Sequence, residues 1–239
     1  MSYPGEPQRL PDGFINRGVN VTRLEAFVDA AFAFAVTLLV ISLNTVPTSI
    51  PAMVEALKGV PAFAASFIQI VIFWSAHATW SRRFGLDDAG SQRLSLLLVF
   101  LVLVYVYPLK ILFGAFFGWI SHDWLPPVAP VSSMEELKTM FVVYGVAFAT
   151  LSLCIAALYR KALRSDVAPP LEPAEIAHVR SEIVSWTYRV ALAAISIAFA
   201  LLLPDDVPNW LAGMPGMVYV FFGFSKFVTR RFAPVPKAP

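Results

Sequence analysis

Read as apolar and polar positions, the chain falls into long apolar runs separated by short polar links. Six runs can be drawn, at roughly 24–45, 61–83, 94–117, 137–159, 181–203 and 210–228. Each is about 20 residues long, and at a rise of about 1.5 Å per residue such a helix crosses a hydrocarbon core of about 30 Å. The links carry the breakers. Pro47 and Pro51 follow the first run, and Gly85 to Ser91 separates the second from the third. Pro126, Pro127 and Pro130 close the third, Pro169, Pro170 and Pro173 precede the fifth, and Pro204 to Pro208 predict a tight turn before the sixth. The pattern predicts an all-α, polytopic membrane protein with six transmembrane helices. It divides the chain into an N-terminal segment 1–22, a six-helix transmembrane domain 23–232 and a tail 233–239.

Composition agrees with this reading. Of 239 residues, 58% are hydrophobic and 14% charged, against about half and a quarter in soluble domains. The net charge of +2 gives no reason to expect nucleic acid as a partner. Cys154 is the single cysteine, which excludes an intrachain disulfide and a cysteine-based metal site. Met1 to Val21 is polar and proline-bearing, so no cleavable signal peptide is expected.

Charge then orients the runs. Arg9, Arg17 and Arg23 precede the first. Arg82, Arg83 and Arg93 lie between the second and third. Arg160, Lys161, Arg164 and Arg180 lie between the fourth and fifth, and Lys226, Arg230, Arg231 and Lys237 end the chain. The opposite links hold only Lys58 and Lys138. Cytoplasmic loops carry the excess of Lys and Arg, so both termini are expected to be cytoplasmic, in agreement with an even number of crossings. Trp119, Trp124 and Trp210 near outer ends, and Trp80 near an inner one, read as interfacial anchors.

The first run is unusual in starting with ionised residues, RLEAFVDAAFAFAVTLLVI. Charge in a bilayer is costly and usually has a purpose. On a helical wheel Arg23, Phe27, Ala30, Phe34, Leu38, Ile41 and Thr45 form one stripe, with Thr37 at its edge. Asp29 points about 140° away and lies about 9 Å above Arg23 along the axis. Ordinary helix packing would produce the same stripe, and Asp29 suits either a structural hydrogen bond or a part in ion movement. On the second run, Trp74, His77 and Ser81 share a face. His77 stands at similar depth to Asp29, and an imidazole or indole N–H could satisfy the carboxylate. Arg23 and Arg189 are other candidate partners; Arg189 could equally snorkel toward the cytoplasm, and Lys110 outward.

Several chemistries are missing. There is no TVGYG-like filter, P-loop, HExxH or G-x-S-x-G, and His77, His122 and His178 are scattered. No catalytic cluster or soluble domain is present, so the chain does not read as an enzyme. Gly114 and Gly118 form a GxxxG that would permit close helix approach without naming a partner.

The stretch from Arg23 to Leu43 resembles the first-helix signature of the transmembrane protein 175 family, R-x-x-x-F-S-D followed by an apolar run, through Arg23, Phe27 and Asp29. The second run is similar in its Trp74, His77 and Phe84. The chain departs from the family pattern at Val28 for Ser, Ala30 for Gly and Phe34 for Ile. The resemblance implies a potassium-permeable cation channel of a bacterial-type plasma membrane. It implies a homotetramer in which the first helix lines a central pore, with potassium as the permeant ion and no cofactor. Its hydrophobic constriction would map to Phe34, Leu38 and Ile41, with Thr37 as a polar layer. Arg23, Phe27, Asp29, Trp74 and His77 would fasten the helix in place. The residues alone leave a rival: a proton-coupled transporter or proton pathway through Asp29, His77 and Arg189.

Overall fold

A computed structural model describes residues 8–41 and 47–232. Among these the chain is helical apart from loops and one isolated bridge between Arg9 and Ile15. The helices are α1 (Arg23–Ile41), α2 (Ile50–Leu57), α3 (Val60–Phe84), α4 (Ala89–Ile120), α5 (Met134–Ala162), α6 (Pro173–Leu202), α7 (Asn209–Ala212), α8 (Met214–Met217) and α9 (Ser225–Phe232). A 3₁₀ segment, Val218–Phe224, joins the last two.

Four helices, α3, α4, α5 and α6, are long and apolar enough to cross a membrane. Their starts are set by local chemistry. Asp88 caps α4 by accepting from Gly90 N–H at 3.0 Å, and Ser133 caps α5 by accepting from Glu136 N–H at 3.2 Å. Glu172 and Glu175 form a capping box at α6, with Pro173 in its first turn. Two prolines read as breakers therefore start helices: Pro173, and Pro51 in α2, a short helix within the stretch expected to be a link.

The expected helix at 210–228 is not continuous. It is made of α7, α8, the 3₁₀ segment and the start of α9. Pro215, Gly213, Gly216 and Gly223 interrupt the run, and proline and glycine weaken α-helix most. The segment nevertheless runs antiparallel to α6. Ser196 Oγ donates to Pro215 O at 2.8 Å, and Tyr188 Oη donates to Phe221 O at 3.2 Å. Its apolar side enters the core through Phe148, whose ring lies 5.1 Å from that of Phe222. The same core joins α3, α4, α5 and α6 by rings: Phe73 stands 6.1 Å from Tyr105, 5.7 Å from Phe148 and 5.6 Å from Trp186.

Residues 8–22 form a polar strap across one end of the bundle. Arg17 Nη2 donates to Glu175 Oε2 at 2.7 Å, and both side chains are almost fully buried. Ile15 N–H donates to the same carboxylate, at Oε1, 2.8 Å. Arg83 donates to Asp12 at 2.8 Å and covers the Phe14 ring at 4.2 Å. Burial would raise the Asp12 carboxyl, but the Arg83 hydrogen bond and charge outweigh it and hold Asp12 below the usual carboxylate range. The strap crosses α3 where only glycine fits. A Cβ on Gly18 would meet Ser81 O at 2.6 Å, and one on Gly85, which has φ +57°, would meet Arg17 O at 2.6 Å.

The links sort onto two ends. At the strap end, Lys161 pairs with Asp88 at 2.8 Å across the α5 and α4 ends. At the other end, Lys138 pairs with Asp205 at 2.6 Å, and Lys58 stands over Trp124 at 5.8 Å. Three expectations change here. Trp80 is not an interfacial anchor: it is 1% exposed, and its indole N–H donates to Leu158 O at 2.9 Å, tying α3 to α5. Lys110 does not reach outward but is buried. The GxxxG of α4 receives a loop, not a helix, since a Cβ on Gly114 would meet Val128 Cγ2 at 2.7 Å. Trp119 and Trp124 are exposed, and the side chain of Trp210 lies outside the described residues.

Candidate functional site

The site is built on α1. Thr22 starts it: its Oγ1 accepts from Glu25 N–H at 3.1 Å and its carbonyl from Ala26 N–H at 3.0 Å. Along the helix, Val28, Phe32, Ala35 and Leu39 are buried, and this row packs α1 onto α3 and α4. The opposite face carries Arg23, Ala26, Phe27, Ala30, Ala33, Phe34, Thr37 and Val40, all exposed in the single chain. Phe27 and Phe34 are each 54% exposed, an unusual position for large apolar side chains unless something apolar covers them.

This face is turned about 40° from the stripe drawn on the sequence, at 100° per residue. Arg23, Phe27, Ala30 and Phe34 belong to both. Thr37, expected at the edge, is near the centre, and its hydroxyl donates to Ala33 O at 3.0 Å, leaving the oxygen's lone pairs to the open side. Leu38, expected on the stripe, is half-buried and packs against the core. The side chain of Ile41 and all of Thr45 lie outside the described residues. The difference arises because a wheel does not give the direction of the core, which Val28, Phe32, Ala35 and Leu39 set, drawing Leu38 toward the packing and leaving Thr37 outward.

Two hydrogen bonds hold α1 and its neighbours. The Trp74 indole N–H donates to Asp29 Oδ1 at 2.8 Å, joining α3 to α1. His77 is 1% exposed, and its Nε2 lies 2.9 Å from Ser95 Oγ, joining α3 to α4. The other ring nitrogen, Nδ1, has no hydrogen-bond partner among the described residues. Asp29 and Trp74 are therefore in direct contact, while His77 bonds to a residue the sequence reading missed. The signal for Ser95 was its spacing from Ser91, since two serines four apart on an apolar helix share a face. Both are buried.

Asp29, His77 and Arg189 do not form a hydrogen-bonded relay among the described residues. Arg189 lies on α6 with its guanidinium 4.0 Å from the Trp186 ring centroid, one turn toward the strap end. No group of His, Cys, Asp and Glu able to hold a metal is found among the described residues.

A helical membrane protein whose first helix is hydrogen-bonded to the second long helix, with an open face left uncovered, is the class defined by this geometry. The chain belongs to the TMEM175 family. The family model described as endosomal/lysosomal potassium channel TMEM175 matches residues 23–108, which include α1, Asp29, Trp74, His77 and Ser95. A Marivirga tractuosa protein named potassium channel is 32% identical over 202 residues, 82% of this chain and 81% of that one. The crystal structure of the potassium channel MtTMEM175, a threonine-to-alanine variant in complex with a nanobody–MBP fusion, is similar with a TM-score of 0.80. It is 28% identical, and the match covers 94% of this chain and 98% of that one. The crystal structure of a lysosomal potassium-selective channel TMEM175 homologue from Chamaesiphon minutus shares the fold at a TM-score of 0.55 and 20% identity, over 87% of this chain and 96% of that one.

Proposed function

We propose that this protein is a potassium-permeable channel in which four copies of the chain place their α1 helices around a central pore. The observation that carries the reading is the open face of α1. Beyond Arg23 it bears no charge, and it combines the small residues Ala26, Ala30 and Ala33 with Phe27, Phe34 and Thr37. In a bilayer an apolar face alone gives no drive to associate, because lipid covers it equally well; small residues that let backbones approach give one. The relatives named potassium channels supply the ion.

The constriction in this reading is formed by Phe34, Leu38 and Ile41, with Thr37 offering hydroxyl oxygens beside them. A narrow ring of such side chains excludes water and closes the pore by dewetting, and displacing the rings opens it. No carboxylate lies on this stretch, so selection of cations falls to the hydroxyls, to carbonyl oxygens and to pore width. Of the fastening set, Asp29 and Trp74 tie α1 to α3 and His77 braces α3 on α4, while Arg23 and Phe27, on the open face, would fasten α1 against the neighbouring copies. With six crossings, counting α1 and the broken last segment, both termini and the strap share one side, and the excess of Lys and Arg in the links on that side supports the cytoplasmic side of a bacterial-type plasma membrane.

The test is potassium flux into liposomes. Leu38→Ala and Phe34→Ala should each raise flux severalfold over the parent protein, and both should run as tetramers. Absence of flux in all three proteins while they are folded and tetrameric would sink the channel reading. Unchanged flux in both variants would remove the constriction from these positions.

A further inference from the structure

One crevice and two cations remain outside this account. Between α3 and α6, with α5 behind, lies a crevice of about 510 Å³. Its walls change character along the bundle. Away from the strap, α3 presents Phe67, Ile68, Val71 and Ile72. Near the strap the lining is Arg83, Tyr159, Glu182 and Arg189. From Ile72 to Arg83 the helix rises about 16 Å, close to the hydrocarbon thickness of one leaflet.

The two guanidinium groups at the polar end are incompletely paired. Arg83 is 7% exposed. Its Nε and Nη2 donate to Asp12 at 3.0 and 2.8 Å, but Nη1 is buried with no hydrogen-bond partner among the described residues. Glu182 Oε1 stands 3.9 Å away, beyond hydrogen-bond reach, and the neutral Tyr159 hydroxyl faces the same guanidinium without bringing charge. Arg189 lies over Trp186 and has no ion pair among the described residues. Side chains on a helix lean toward its N-terminus, so Arg189 is aimed at the strap end, where Arg83 waits. Buried donors without acceptors are costly, and an arginine fork matches the oxygens of a phosphate.

We propose that this crevice binds an anionic phospholipid from the leaflet on the strap side. Its phosphate sits between Arg83 Nη1 and Arg189, and one acyl chain runs past Thr79 and Ala76 to Ile72. Charge decides the occupant. Two cations line the crevice against the single carboxylate Glu182, because Asp12 is already engaged on the other edge of Arg83. A zwitterionic lipid would bring a cation of its own to this end. A helix from a second copy would lay apolar surface on it and leave Nη1 unpaired.

The experiment is native mass spectrometry of the full chain in detergent, with phosphatidylglycerol or phosphatidylcholine of the same acyl chains added. The parent protein should retain phosphatidylglycerol preferentially. Arg189→Gln should cut that retention about tenfold, the effect of losing one charge-assisted hydrogen bond. Arg189→Lys should keep most of it, and Ile72→Trp, which fills the apolar half, should lower retention of both lipids. Circular dichroism and oligomer mass check that each variant is folded. Equal retention of the two lipids by the parent protein, or none, overturns the proposal. So does unchanged phosphatidylglycerol retention in Arg189→Gln and Ile72→Trp. A changed oligomer mass in Ile72→Trp with lipid retention intact would assign the crevice to a second copy instead. Lipid mass is read without any conduction, so a failed flux experiment leaves this result standing.

Discussion

At the scale of single residues, the polar side chains of this protein act as ties between helices. The bond from Trp74 to Asp29 is a charge-assisted one at 2.8 Å, and Trp74 is 39% exposed in the single chain. Trp74→Phe keeps the ring and removes the donor, so it should lower stability by about 1 kcal/mol in thermal unfolding in detergent. The matching double variant with Asp29→Asn should show that the two losses are not additive. A fully additive cycle would mean the bond contributes nothing. The Arg17–Glu175 pair is different in kind, because both side chains are buried, 1% and 3% exposed. Glu175→Gln leaves a buried guanidinium without its charge partner and should cost about 3 kcal/mol or more by the same measurement. The sequence made Asp29 conspicuous because a carboxylate in an apolar run is rare. It did not make Glu175 conspicuous, because a glutamate beside a proline link looks like any solvated loop residue. Only the strap folded over it buries the charge.

At the scale of elements, long helices are legible where a single physical rule dominates. The runs now seen as α3, α4, α5 and α6 were recognisable because roughly twenty apolar residues exceed what a loop can carry. Their starts were less legible, since α4 begins at Ala89 and α6 at Pro173, well before the apolar runs. Capping by Asp88 and by Glu172 with Glu175 extends both helices into polar sequence. The Asp88 carboxyl is held down to about 2, first by the Lys161 hydrogen bond and then by Ser91. Because its folded value is depressed from 3.8, its contribution is present above about pH 4 and is lost as pH falls toward 2. Amide exchange at Gly90 and Ser91 should therefore speed up below pH 4 relative to the rest of α4. Asp88→Asn should abolish that pH dependence; its persistence in the variant would assign it to another group. Hydropathy alone predicts one helix for the last segment because it does not see backbone. Pro215 and its neighbouring glycines break the α pattern while the side chains stay apolar.

At the scale of the whole molecule, the links sort onto two ends, and the salt bridges respect that division. The proposed sidedness has a direct check in a Cys154→Ala background, since Cys154 is buried. A membrane-impermeant maleimide applied to intact cells should label Ser132→Cys, in the α4–α5 link, and should label Asp166→Cys, in the α5–α6 link, only after permeabilisation. The reverse pattern would invert the topology. Assembly has its own check. Ala30→Trp places bulk at the centre of the open α1 face and should convert the proposed tetramer to smaller species by native mass spectrometry, leaving helix content unchanged. An intact tetramer would show that this face does not meet its copies.

By itself the sequence determined the helical class, the membrane and the family, and it singled out Asp29, Trp74 and His77 as polar residues on apolar helices. Hydropathy over twenty residues and a carboxylate set in an apolar run are local properties, readable without neighbours. The tertiary structure decided which donor meets Asp29, which side of α1 stays open, and where the polar N-terminal residues go. A wheel gives the angle between two residues on a helix but not the direction of the core. That direction came from Val28, Phe32, Ala35 and Leu39 finding α3 and α4. Their packing turned Thr37 and Phe34 to the open side and drew Leu38 toward the core.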